Sequence, residues 1–200
     1  MKKIVIIDYN TGNVSAIANM LYRIGEKPII TKNHREIENS EIIILPGVGS
    51  FDRAVKNLEK NDLINILKKK INENTKILGI CLGMQILCNG SEEGVKRGLK
   101  VFDVYCKPFN SKDSAEIFMG WSDTKVVKEK INFNFIKKSK FYFLHKYYFP
   151  FHEDYSIAVS KNNFDFSCIV KKNNIYGVQF HPEKSHNYGI DFFKNFINLK

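Results

Sequence analysis

Apolar positions in the first part of the chain change period several times. Residues 4–7 (IVII) form an unbroken apolar run ending at Asp8, the pattern of a strand buried on both faces. The loop Tyr9-Asn10-Thr11-Gly12 follows. From Asn13 onward, Val14, Ile17, Ala18, Leu21 and Ile24 recur at helical spacing until Gly25, a residue suited to the left-handed position after a helix C-terminus. Pro28 to Thr31 predicts a second short strand and 41–45 (EIIIL) a third, stopped by Pro46. Residues 52–72 carry helical patterning through Ala54, Val55, Leu58, Leu63, Ile64, Leu67 and Ile71, and a fourth run, KILGI, occupies 76–80. Alternating strands and helices predict a largely parallel sheet.

The second half reads differently. Aromatic and β-branched runs fall at 99–106, 140–149, 155–160, 166–171 and 174–180, the last two joined by a polar Lys-Lys-Asn-Asn turn. These predict hairpins and antiparallel additions. Ile190, Phe193, Phe196 and Ile197 then form an apolar stripe at helical spacing that would pack back onto the sheet. With no linker, repeat or low-complexity segment to divide it, the chain is expected to be one α/β domain over 1–200, its mixed, mainly parallel sheet flanked by helices.

Composition narrows the class. A chain of 200 residues can bury a sizeable core. No stretch approaches the roughly 20 unbroken apolar residues that span a bilayer, and Met1-Lys2-Lys3 runs straight into IVIID rather than into a signal peptide. Cys81, Cys88, Cys106 and Cys168 lack paired CxxC spacing, so they form neither a dense disulfide framework nor a zinc site, and a reducing, cytoplasmic setting fits them best. The formal charge of +10 is compatible with anionic partners. However, the lysines at 68–70 and 171–172 sit on what read as solvated faces, and no nucleic-acid module is present. Neither nucleic acid nor membrane is an expected partner.

The sharpest chemical signal is Gly79-Ile80-Cys81-Leu82-Gly83, where a buried strand gives way to a short predicted helix over 82–88. It has the form of a nucleophile elbow with cysteine in place of serine: flanking glycines permit a tight turn that exposes one side chain above the sheet. The following helix N-terminus favours the reactive thiolate. A structural cysteine between two packing glycines would share this local sequence, so the elbow needs a partner. Gln179-Phe180-His181-Pro182-Glu183 follows a predicted strand, and in an extended segment residues two apart point the same way. Glu183 could then orient the His181 imidazole toward Cys81, as nucleophile, base and orienter. For a tetrahedral oxyanion, Leu82 offers the amide after the nucleophile. Pro46-Gly47-Val48-Gly49, at the same predicted sheet edge, offers a second from Val48 or Gly49. No metal or organic cofactor is called for.

These residues belong to a longer pattern. IIDYNTGN (with its preceding strand), LPGVGSF at 45–51, LGICLGMQIL at 78–87, SEEG at 91–94, MGW at 119–121, FYFLHKYY at 141–148 and GVQFHPEKS at 177–185 occur in one order along nearly the whole chain. The chain thereby resembles the class I, triad-type glutamine amidotransferases, a flavodoxin-like fold. Within them it is similar to the branch whose glutaminases work with the cyclase of histidine biosynthesis. The resemblance implies that Cys81 attacks L-glutamine, that His181 shuttles protons and that Glu183 orients it. It implies that Gln85 and Glu93 hold the amino-acid end of the substrate, and that a (β/α)8 cyclase subunit receives the ammonia in a heterodimer and makes imidazole glycerol phosphate. Asn10, Asn13, Trp121 and Lys184 would lie at that partner interface.

The chain also departs from the family pattern. Ile117-Phe118-Met119-Gly120-Trp121-Ser122 stands where Pro-His-Met-Gly-Trp-Asn is common, Lys146 where a small hydroxyl residue follows the histidine, and Asn10-Thr11 where Gly and an apolar residue are usual. These departures spare the triad and fall in segments used for docking and substrate positioning. They leave open a paralogous glutaminase that feeds another synthase, such as one amidinating a cell-surface sugar. A non-catalytic scaffold and a partner-free cysteine peptidase or γ-glutamyl hydrolase are the readings from other classes.

Overall fold

The computed structural model describes residues 2–110, 116–128, 133–137 and 139–199. The expected domain limits at residues 1 and 200 lie outside the described residues. Through the first half, β1 (Ile4–Ile7), α1 (Val14–Arg23), β2 (Ile29–Thr31), α2 (His34–Glu38), β3 (Ile42–Leu45), α3 (Phe51–Lys60), α4 (Leu63–Asn72), β4 (Lys76–Ile80) and α5 (Leu82–Ile86) alternate. Strands then dominate: β5 (Cys88–Ser91), β6 (Phe102–Pro108), β7 (Phe118–Asp123), β8 (Lys125–Val126), β9 (Lys140–His145) and β10 (Tyr147–Tyr148). After them come β11 (Ser156–Asn162), β12 (Phe164–Lys172), β13 (Ile175–Val178), a 3-10 turn at Pro182–Lys184, and α6 (His186–Asn198).

The two-residue period of the strands builds two apolar layers. In β1, Ile4 and Ile6 join the layer that α1 and α6 cover, while Val5 and Ile7 join the opposite layer with α2, α3, α4 and α5. Every residue of β1 and β3 is buried, so these two strands are covered on both faces. The α6 side is unusually aromatic. Phe141 and Phe180 stack with ring centres 3.8 Å apart, and Phe192 meets Phe180 edge-on. Such pairs contribute about 0.5–1.5 kcal/mol each beyond the burial of their area.

The main sheet runs in the order β2-β1-β3-β4-β13-β12-β11-β8. From β2 to β13 the pairings are parallel; from β13 to β8 they are antiparallel. The mixed, mainly parallel α/β sheet is therefore as expected. One part of the expectation fails: β13 is no antiparallel addition on its far side, because it inserts beside β4 and pairs with it in parallel. The hairpin with β12 is present, with Lys172 opposite Ile175.

Local departures have local causes. The predicted helix over 52–72 is two helices, since Asn61 caps α3 and Asp62 takes a left-handed conformation (φ 55°), one that Asp and Asn tolerate better than most residues. The predicted helix over 82–88 stops at Ile86, and Cys88 opens β5. The run at 140–149 is split because His145 and Tyr147 belong to strands of different sheets. Helix α2 went unpredicted: it has one buried apolar residue, Ile37, and is nucleated by the Asn33 side chain accepting from the Arg35 and Glu36 amides.

Helix α5 lies hard against the end of β3. A Cβ on Gly83 would stand 1.8 Å from the Leu45 carbonyl oxygen, a backbone atom with no flexible end to yield. Gly83→Ala is expected to destabilise the protein by about 3 kcal/mol, read as a lowered urea midpoint at an unchanged slope.

Candidate active site

Strand β4 delivers its last residue straight into a strained turn. Cys81 has φ 53° and ψ −110°, a region that non-glycine residues avoid unless their surroundings enforce it. Here the enforcement is hydrogen bonding. The Cys81 amide donates to Val178 O at 2.7 Å, and its carbonyl accepts from the Met84 and Gln85 amides at 3.0 and 3.3 Å. Gly79 makes the turn possible, since a Cβ there would come within 2.7 Å of Gly83 O and Met84 N. The expected elbow is thus present, and Cys81 is nearly covered, at 5 % exposure.

Across the β4–β13 pairing the chain continues into Gln179, Phe180 and His181. The His181 amide donates to Tyr142 O at 2.8 Å, its carbonyl accepts from Ser185 Oγ at 2.7 Å, and Ser185 Oγ in turn accepts from the Tyr142 amide at 3.0 Å. With its backbone stitched to β9, the buried imidazole reaches two neighbours. Nδ1 lies 2.8 Å from Glu183 Oε1, and the ring shares a cavity wall with Cys81, close enough for the sulfur's charge to act on it. The route to this pairing differs from the extended segment predicted. His181 is extended, but Pro182–Lys184 form a 3-10 turn, so Glu183 is folded back onto His181 rather than aligned along a strand. Proline at the first position of the turn costs nothing there and fixes its φ.

The charges follow from burial and neighbours. Burial lowers the His181 pKa, but the negative charge of a Cys81 thiolate and then the Glu183 carboxylate outweigh it and raise the value to about 10. Glu183 Oε2 is buried without a hydrogen-bond partner among the described residues, so the carboxylate's polar contact is directed at His181. His145, in the same cavity, goes the other way. Burial among Phe109, Phe118, Phe143 and Phe166 pulls its pKa down to about 3, opposed by the bond to Tyr147 O and reinforced by the charge on His181. It is therefore neutral, with Nδ1–H donating to Tyr147 O at 3.0 Å and Nε2 buried without a partner among the described residues.

A cavity of about 360 Å³ opens over Cys81 and His181. Val48, Gly49, Leu82, Gln85 and Glu93 line it, and so does Lys184, which was expected at a partner interface. Gln85 is less free than expected: its Nε2 donates to Tyr147 O at 2.8 Å and to Gln179 Oε1 at 3.3 Å. Glu93 is raised in pKa by burial, against the Phe51 amide that donates to its Oε2 at 3.1 Å; nearby Asp52 raises it further and Lys146 lowers it. Trp121 is about half exposed and stacks on His186 with a 7° interplanar angle, while Lys184 lies over the Tyr142 ring. Asn13 caps α1 through its side chain, and exposed Asn10 has a left-handed φ of 60°. Among the described residues no group of three or more His, Cys, Asp or Glu side chains could hold a metal ion, and no helix is long and apolar enough to cross a membrane.

Three residues at or beneath the site escaped the sequence reading. Gln179 is fully buried and donates to Cys81 Sγ at 3.7 Å; its position two before His181 was the available signal. His145 lies in an aromatic run whose hydrophobicity hides it. Tyr9 is buried beneath the site and donates to Pro46 O at 2.5 Å, tethering the Pro46–Gly49 loop. Burial, and then the charge of Cys81, raise its pKa and keep the phenol protonated.

Over residues 5–199 the chain matches the family described as glutamine amidotransferase class-I. It is 45% identical over 198 residues to imidazole glycerol phosphate synthase subunit HisH 2 of Methanococcus maripaludis, covering 97% of this chain and 98% of that one. It is 39% identical over 197 residues to subunit HisH of Methanocaldococcus jannaschii, with 97% and 98% covered. Among solved structures, PurLQS from Thermotoga maritima aligns with a TM-score of 0.76 at 18% identity, covering 99% of both chains. A glutamine amidotransferase crystal structure aligns at 0.75 and 18%, covering 97% of both. These two likenesses concern the fold.

The opposed shifts at the two histidines give a titration test. His181 should titrate near pH 10 by NMR on imidazole-labelled protein, and Glu183→Gln should move it down toward the ordinary 6.5. Because the folded value is raised, the stability linked to this charge is complete below about pH 6.5 and is lost as pH rises through about 10. Cys81→Ala should shrink that loss in urea melts taken across the same window.

Proposed function

The chain belongs to the class I glutamine amidotransferase family, and from that premise we propose that it is the glutaminase of an imidazole glycerol phosphate synthase, with Cys81, His181 and Glu183 as its triad. The observation that carries the assignment of residues is the buried imidazole bonded to the Glu183 carboxylate and lining one cavity with the elbow cysteine. The near-complete alignment with HisH subunits supports the pathway.

The chemistry follows from that arrangement. The Cys81 thiolate attacks the side-chain amide carbon of L-glutamine, and the carbonyl oxygen becomes an oxyanion that the Leu82 amide and an amide from Val48 or Gly49 receive. Collapse breaks the carbon–nitrogen bond as His181 gives its proton to the departing nitrogen, leaving ammonia and a γ-glutamyl thioester. Water then attacks the thioester with His181 as base, and the thiolate leaves as glutamate forms. Glu183 stabilises the imidazolium at the step where it is needed. No metal or organic cofactor takes part.

Ammonia set free in neutral water becomes ammonium, which is no nucleophile. A sealed transfer to a (β/α)8 cyclase subunit therefore suits the reaction, in a cytoplasmic heterodimer. Asn10 and Asn13, on the loop after β1, and Trp121 and Lys184, beside Tyr142 and His186, form the docking edge of this reading. One domain over 1–200 supplies all of these parts.

The test is glutamate release from glutamine with the synthase partner present. Cys81→Ala should reduce it to background, His181→Asn by about a hundredfold to ten-thousandfold, and Glu183→Gln by less. If Cys81→Ala released glutamate as fast as the unmodified protein, the nucleophile assignment would be wrong.

A further inference from the structure

Two lysines line the cavity, and they are held differently. Lys184 Nζ sits 5.7 Å from the centre of the Tyr142 ring, occupied by its face. Lys146 has a pinned backbone: its carbonyl accepts from the Phe109 amide at 3.3 Å, and the next carbonyl, that of Tyr147, takes both His145 Nδ1 and Gln85 Nε2. His145 and Tyr147 are buried while Lys146, at the bend between β9 and β10, is exposed. Lys146 and Glu93 line the same cavity, and they are close enough for the lysine's charge to lower the Glu93 pKa. The Phe51 amide holds Glu93 in place at 3.1 Å.

An α-amino acid carries an ammonium and a carboxylate on one carbon. Glu93 suits the ammonium. A lysine beside that ammonium would repel it unless the lysine faced the carboxylate instead, so the pair of protein charges accepts the zwitterion in one orientation. We propose that Lys146 binds the α-carboxylate of glutamine while Glu93 takes the α-ammonium, making Lys146 the residue through which this pocket demands a free α-carboxylate. The inference rests on the glutaminase reading of the same cavity. A small hydroxyl residue, the usual occupant in chains with this pattern, offers a hydrogen bond without charge. The lysine replaces that with a charge-assisted contact, the stronger kind.

The test compares L-glutamine with L-glutaminamide, whose α-carboxylate is a neutral amide, in the complex with the synthase partner, following the product that carries the new γ-carboxylate. Lys146→Met should raise KM for glutamine by roughly tenfold to a hundredfold with the loss falling on KM rather than kcat. The preference for glutamine over glutaminamide in kcat/KM should shrink by the same factor, and Lys146→Arg should restore most of it. Three results would overturn the proposal: an unchanged KM for glutamine, a parallel loss on both substrates, or a lowered KM, which would make Lys146 a plug on Glu93. Were the unmodified complex to hydrolyse neither substrate, the glutaminase reading itself would fall and take this inference with it, a result distinguishable from the other three.

Discussion

The parallel pairing of β4 with β13 is the constraint on which the site depends. Ile80 sits opposite Val178, and one residue further on the Cys81 amide donates to Val178 O at 2.7 Å. That single bond fixes the elbow from outside while it fixes where the neighbouring strand ends. A slip of one residue would turn His181 to the other face of the sheet. Register is enforced by burial, since Ile80, Val178 and Phe180 all sit in the aromatic layer beneath α6. The sheet's antiparallel half serves this pairing too: β12 delivers β13 by a tight hairpin and sets its position from the far side.

Once the two strand ends are together, the site distributes charge by contrast. Two buried histidines share one cavity and behave in opposite ways. His181 meets a carboxylate and a sulfur; His145 meets phenylalanine rings and one carbonyl. Of the two rings only that of His181 holds a proton readily, while His145 serves as a neutral donor that fixes the 145–147 turn. Tyr9 follows the same economy: a protonated phenol under the sulfur spends its hydrogen on Pro46 O and so ties loop to floor.

Short-range patterns told the truth about what they controlled. KILGI at 76–80 is β4 residue for residue, because a buried apolar strand closed by a glycine-flanked elbow is specified locally. The helix at 52–72 broke at Asn61-Asp62 because apolar period carries no information about a left-handed cap. The direction of β13 was illegible for a different reason: a short apolar run says nothing about which strand it will pair with, and pairing over such sequence separation is a tertiary decision. His181 and Glu183 were readable as partners, but their geometry came from a 3-10 turn that proline permits. Gln179 and Tyr9 were invisible as site residues because only the fold brings them under Cys81.

What surrounds the cavity matters for what can leave it. On the two-stranded sheet, Met119 faces Leu144 across the ladder and Trp121 faces Tyr142, with Met119, Trp121 and Leu144 all exposed and Ile117 at the cavity wall. An apolar strip of this kind beside a nearly covered nucleophile is costly to leave in water. It also suits the proposed product. Ammonia crosses an apolar seam as a neutral molecule, whereas ammonium would lose its solvation there. In the proposed reading, a surface that is costly when bare and permissive to the neutral amine when covered would favour the same state twice: the one in which a synthase partner is seated over the mouth of the site.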